Sequence, residues 1–436
     1  MKNEILRMRR FGAALAVVVL PCFSITAHCG VMAWTNAAGG SFHDSANWRP
    51  NAVPSAGDTA VFDLAGAPYT VAWSSDVTNH THIVKAGDVT FDLRGHTYSL
   101  SQGSSNYVGT ADTTAVATFT NGLVRRLDPV YTGSTTRERF HLRGPGSALL
   151  LRNARHRDVA YYFSMDAGTR IVVDGPGADF RSFGYSIRTD GLVIVTNGAF
   201  MSGTASLTIG SPCRIHVDGP GLRAQFSIRN TGMAAGASLV MSRGASVNHG
   251  YFSADNTATP IAGSVTLGDG AVWYDHYTAL SRGWRSFDGP AALLQGSGSV
   301  EMQRIIMNGG TIRPGGALGA GLLSFTGLIT NASPESVLEI EIGGVGGGEY
   351  DRIGLAGGLR GPGVFFAGGR LRVTPLDGFE PREPVTFQLI DAVEIVPAFD
   401  EISLPAWRGS WIVDHLYSTG TITFVPDATG STLLMW

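Results

Sequence analysis

From about Val84 onward, apolar and polar residues alternate in short runs that end in Gly, Asn or Asp, as in "VTFDLRGHTYSL", "RIVVDGPGADF", "GLVIVTNGAFM", "ASLVMSRGASV" and "IIMNGGTIRPGG". A period of two sends successive side chains to opposite faces, so each run predicts a strand with one face in a core. Asn-Gly and Asp-Gly pairs predict tight turns between the strands. No stretch of helix length carries apolar residues at i, i+3, i+4 and i+7. The pattern predicts an all-β chain.

Within it, one turn is written more than once: "VDGPGADF" begins at Val173, "VDGPGLRAQF" at Val217 and "LRGPGSALL" at Leu142. A catalytic loop is needed once, so repetition points to architecture. In Asp-Gly-Pro-Gly the proline fixes φ near −65°, the glycines accept positive φ, and the Asp carboxylate can bond its own backbone; together they make a corner. Gly175 follows Gly144 by 31 residues and Gly219 follows Gly175 by 44, with further turn signals at Gly191, Asn197 and Gly210. Near-periodic spacing with insertions fits stacked coils better than a Greek-key sandwich, in which distant strands must pair. The expected fold is a right-handed parallel β-solenoid (β-helix) over residues 84–320. A Trp-rich N-terminal cap over 34–83 and a C-terminal β-rich module over 321–425 are expected at its ends, because an open coil exposes unpaired backbone.

Composition narrows the class. Apolar residues at 44% and charged residues at 15% give the 436-residue chain material for a large core, and 58 glycines without a G-X-Y period exclude collagen. The start, "MKNEILRMRRFGAALAVVVLPCFSITA", sets basic residues before an apolar run and then small residues. That is the layout of a secretory leader over 1–33, with cleavage after Ala27 or Ala33. The apolar run is too short to span a bilayer, so an extracellular or cell-surface location without a transmembrane anchor is expected. Cys29 suits a lipoprotein signal, but His28 precedes it where a small residue is required. Cys213 alone has no assured partner in a mature chain, so no disulfide framework is expected. A net charge of −3 argues against nucleic acid as a partner.

Trp34, Asn47, Trp48, Pro54, Gly57, Asp58 and Phe62 form a W…NW…P…GD…F opening, and "NGGTIRPGGALGAGLLSFTG" with "LEIEIGG…YDRIGLAGGL" follows late in the chain. These motifs resemble exported bacterial β-solenoid proteins, including autotransporter-like passengers and proteins with a PEP-CTERM sorting tail. The resemblance implies a surface or extracellular structural or adhesive role without catalytic activity. The ending "VPDATGSTLLMW" departs from that pattern, since Asp427 stands where the sorting signal has glutamate. Residues 426–436 are therefore expected to be a degenerate or truncated sorting tail.

Candidate chemistry is sparse. His43-Asp44, Asp275-His276 and Asp414-His415 are adjacent acid–histidine pairs, but neighbours in a strand point to opposite sides. No H-E-x-x-H, G-x-S-x-G or Cys-x-x-Cys occurs. The Gly-Asp corners fall short of the calcium-binding nonapeptide, so no catalytic residue, metal ligand or cofactor is expected. Polysaccharide lyases and hydrolases on β-helices use carboxylates and basic residues along a coil face. Asp158, Asp166, Asp174, Asp179 and Asp190 near Arg170, Arg181 and Arg188 keep that alternative open. The one concentration of charge is "RERFHLRGPGSALLLRNARHR" over 137–157. Guanidinium forks match carboxylate and phosphate geometry, so Arg139, Arg143 and Arg152 are the expected contacts for an anionic ligand such as an extracellular polysaccharide or cell-envelope glycan.

Overall fold

The computed structural model describes residues 30–101, 105–126, 139–157, 162–182, 191–209, 213–219, 225–248, 259–274, 284–316, 319–358 and 361–427. The leader expected over 1–33 thus lies, up to residue 29, outside the described residues, as do residues 428–436 of the expected tail. Among the described residues the chain is all-β, with a 3-10 turn at Ser45–Asn47. No helix there is long and apolar enough to cross a membrane.

The fold is a parallel β-solenoid. A typical coil lays one strand on each of three ladders. Arg139–Leu142 lies on the first, Ala148–Arg152 on the second and Arg155–Arg157 on the third. The next coil repeats the order as Tyr162–Met165, Arg170–Asp174 and Asp179–Ser182, each in parallel register with its predecessor. The second ladder is a continuous spine from Tyr69–Ala72 to Glu401–Ser403. On the third, the long strands Phe200–Ile209 and Gln225–Met233 pair with each other, and Gln225–Met233 runs on far enough to meet Thr259–Ile261, from which a first-ladder position continues through Trp284–Asp288, Arg304–Asn308 and Leu328–Asn331.

Alternation fixes what the coils bury. On the second ladder, register stacks Val89, Ala117, Leu149, Ile171, Val193, Ile215 and Leu239 into one inward column, all of them buried. Burying an aliphatic side chain of this size contributes about 1.5–3 kcal/mol, and stacking makes each coil complete its neighbour's core. The first coils hold aromatic residues instead: Phe42 and Trp73 lie 4.7 Å apart, Phe62 and Phe91 4.8 Å, and Phe91 and Phe119 4.9 Å.

The stacking extends to both ends. Val31–Trp34 pairs antiparallel with Trp48–Arg49 and parallel with Thr59–Asp63, so the Trp-rich segment sits directly on the first coils. Val337–Ile342, Arg370–Pro375 and Glu401–Ser403 continue the second ladder. The antiparallel sheet Val385–Gln388, Thr421–Pro426 and Gly409–Ile412 follows, with Phe424 5.1 Å from both Trp407 and Trp411.

The repeated turn resolves into two different corners. Strands beginning at Arg170, Leu192 and Arg214 are in register, a coil of 22 residues. Gly175 and Gly219 therefore leave the second ladder two coils apart, which accounts for their spacing of 44. Asn197-Gly198 turns the coil between them, both at positive φ. Gly144 lies instead between the first and second ladders, so its distance of 31 residues from Gly175 is not a repeat length. Insertions at variable corners hide the period.

Candidate anion-binding column

On three successive third-ladder strands Val124, His156 and Phe180 are buried in the core, so the residues on either side of each point the other way. Register places Arg125 beside Arg157 and Arg157 beside Arg181, one arginine per coil, with rungs about 4.8 Å apart. Arg155 stands in the adjoining outward column, between Leu123 and Asp179. Three consecutive coils thus gather four arginines and one acid on a single face.

Asp179 organises this face. Its carboxylate accepts hydrogen bonds from Arg157 Nε and Nη2 at 3.0 and 2.6 Å, and from Arg181 Nε at 2.9 and 3.0 Å. The Asp179 side chain is only 10% exposed, while Arg157 and Arg181 keep 38% and 46%. The Arg181 guanidinium also lies over the Phe200 ring, 4.9 Å from its centroid. A guanidinium carries five N–H donors. Asp179 engages two on Arg157 and one on Arg181, which leaves donors on both for a second anion. Arg125 and Arg155 are exposed and make no ion pair among the described residues. The acid therefore holds two cations in place without neutralising the column.

The arginines expected from sequence belong to different parts of the coil. Arg139 begins the first-ladder strand, Arg143 follows that strand at the corner, and Arg152 ends the second-ladder strand. The Arg143 guanidinium lies 5.4 Å from the Tyr107 ring centroid. Arg137 and Glu138 lie outside the described residues. Phe140 and Leu142 are buried, His141 is half-buried and Arg143 is exposed, which is the order that alternation predicts. The 137–157 stretch wraps around the body, so it contributes only Arg155 and Arg157 to the column. Arg125 and Arg181 come from the coils on either side. A signal for them exists in the turns "NGLVR", "NARHR" and "GADFR", where each arginine follows the corner residue Asn121, Asn153 or Gly177 by four positions.

The other candidates are dispersed. His43 lies between two serines, its Nδ1 3.1 Å from Ser74 Oγ and its Nε2 2.8 Å from Ser75 Oγ, and burial followed by the His96 charge lowers its pKa. Asp44 caps the 3-10 turn through the Ala46 N–H instead. Asp414 and His415 are exposed in a turn. Asp158, Arg188, Asp190, Asp275 and His276 lie outside the described residues. Arg170 and Asp174 belong to the second ladder, Asp179 and Arg181 to the third. Among the described residues no three His, Cys, Asp or Glu side chains converge on a metal position. Burial pushes Asp351 up to about 7, but its carboxylate accepts the Gly321 and Glu341 N–H groups at 2.8 and 2.9 Å, several coils from the arginines. That is a backbone staple at a glycine-rich corner.

Compared with known proteins, the chain matches no family model and no curated protein.

Proposed function

We propose that the protein is an exported, cell-surface structural or adhesive β-solenoid that holds an acidic polysaccharide along its third ladder. The observation that carries this reading is the register of Arg125, Arg157 and Arg181, which turns three separated residues into a column parallel to the stacking axis. A repeating anion laid along the axis meets a guanidinium at each of these three coils, between Ser99 on one side and Ser202 on the other. Asp179 suits orientation of these groups rather than proton transfer, because both of its oxygens are engaged by arginine. The basic, apolar and small-residue order of the N-terminus supports export, and N-terminal sequencing of secreted protein should find a first residue between 28 and 34.

The binding test is calorimetric titration with sulfated or uronic-acid oligosaccharides at low and at physiological ionic strength. Exposed arginine contacts contribute about 0–1 kcal/mol each and are screened by salt, so affinity should fall as salt rises. Replacing the unpaired Arg125 and Arg155 with serine should weaken binding by about tenfold. The Arg139→Ser, Arg143→Ser, Arg152→Ser variant should bind nearly as well as the parent. The opposite ranking, or a parent without salt-sensitive binding, refutes the column.

A further inference from the structure

The middle of the outward face of the second ladder is largely apolar where a solvated face should be polar. Register stacks Leu150, Val172, Ile194, His216 and Val240 in one outward column over five successive coils. Leu192 stands beside Ile194 on the same face. The strand Leu192–Thr196, "LVIVT", is therefore apolar on both faces, as parallel strands are when a second layer covers them. The ends of these strands carry opposite charges. Arg170 and Arg214 open their strands, and Asp174 and Asp218 close them. Arg170 and Arg214 are exposed and have no ion pair among the described residues.

We infer that this face docks against the same face of a second copy of the chain, about a two-fold axis parallel to the solenoid axis. That axis reverses strand direction across the interface, so Arg170 meets the partner's Asp174 and the pair occurs twice by symmetry. A two-fold axis along the strands would instead set arginine against arginine. Asp174 is suited to the contact, since Asn197 Nδ2 occupies only its Oδ1, at 2.7 Å. Asp218 is already engaged by Arg243, whose Nε lies 2.7 Å from Oδ1, so Arg170 and Asp174 make the decisive charged contact. The column stays uncharged from Thr118 to Gln295, apart from the ionisable His216, before reaching Arg313. With rungs about 4.8 Å apart and strands of about 17 Å, that is a footprint of about 34 by 17 Å, or about 580 Å² per partner, the scale of a small, reversible interface. The inference is independent of the arginine column, which occupies the third ladder.

Sedimentation velocity of the secreted chain over a range of concentrations tests it. The parent should dimerise, and Ile194→Lys should weaken dimerisation by at least about tenfold with an unchanged far-UV circular dichroism spectrum. Arg170→Glu should weaken it too, and adding Asp174→Arg to the same chain should restore it, because the reversed pair forms again across the two-fold axis. If Ile194→Lys disturbs folding, the charge reversal still gives the answer. A parent that stays monomeric at its highest soluble concentration overturns the inference. So does a dimer unaffected by Ile194→Lys in a folded chain, or a double variant that fails to recover.

Discussion

His156 shows how the interior acts on single residues. Its ring is stacked on Phe180 at 5.0 Å and edge-on to Phe140 at 5.5 Å, and neither ring nitrogen has a hydrogen-bond partner. His82 is equally buried, with Nδ1 3.1 Å from Tyr98 Oη. Burial pulls both pKa values down to about 3, with the charge of His156 a second cause for His82. Above pH 6.5 both are neutral in folded and unfolded chains, so there is no linkage. As pH falls below 6.5 the unfolded chain binds protons that the folded chain refuses, and stability is lost progressively down to about pH 3. Each histidine should cost about 2 kcal/mol by pH 5. Replacing His156 with phenylalanine should leave urea stability nearly unchanged at pH 7 and raise it by about that amount at pH 5. An equal effect at both pH values would show that the ring is not the proton-linked group. Asp351 acts in the opposite sense: with a folded pKa of about 7, its favourable contribution is complete near pH 4 and fades as pH rises toward 7.

At the scale of the element, corners matter as much as strands. Asn121, Asn153 and Asn197 leave the second ladder with φ of 54°, 51° and 54°, in the left-handed region that asparagine tolerates better than other non-glycine residues. Two of them also brace the coil, since Asn121 Nδ2 donates to Asp92 and Asn197 Nδ2 to Asp174 in the preceding coil. Asn197→Ala should destabilise by about 1–3 kcal/mol, combining backbone strain with a lost hydrogen bond, whereas Asn197→Gly should lose only the bond. Urea titration of the two variants separates these terms, and equal losses would remove the strain argument. The strands and turns were legible in the sequence because alternation and Asn-Gly or Asp-Gly pairs are local signals. The pairing of Arg125 with Arg157 and of Arg157 with Arg181 was not, because register depends on how many residues each corner takes up. Those intervals, 32 and 24 residues, differ by eight residues that leave the strands in phase. The apolar outer face of the second ladder was written plainly in "LVIVT", but period-two reading assigns only one face to a core.

At the scale of the whole molecule, each coil touches little beyond its neighbours, so stability should be distributed along the stack and not shared uniformly. Trp73 is enclosed by Phe42, Phe91 and Tyr98 near the N-terminal end. Trp73→Ala should cost about 3–5 kcal/mol locally. Hydrogen exchange should then speed up in Tyr69–Ala72 and the coils beside it while Arg370–Pro375 keeps its protection; uniform acceleration would mean one cooperative unit. The same one-dimensional order underlies the functional reading, because a column one arginine wide and three coils long suits an anionic chain laid along the axis. The most direct measurement is an experimental structure of the protein with a sulfated oligosaccharide bound. The account predicts a chain parallel to the stacking axis, with successive anionic groups within hydrogen-bond reach of Arg125, Arg157 and Arg181 over about 10 Å. A ligand seated on Arg139, Arg143 or Arg152, or lying across the coils away from the third ladder, would contradict it.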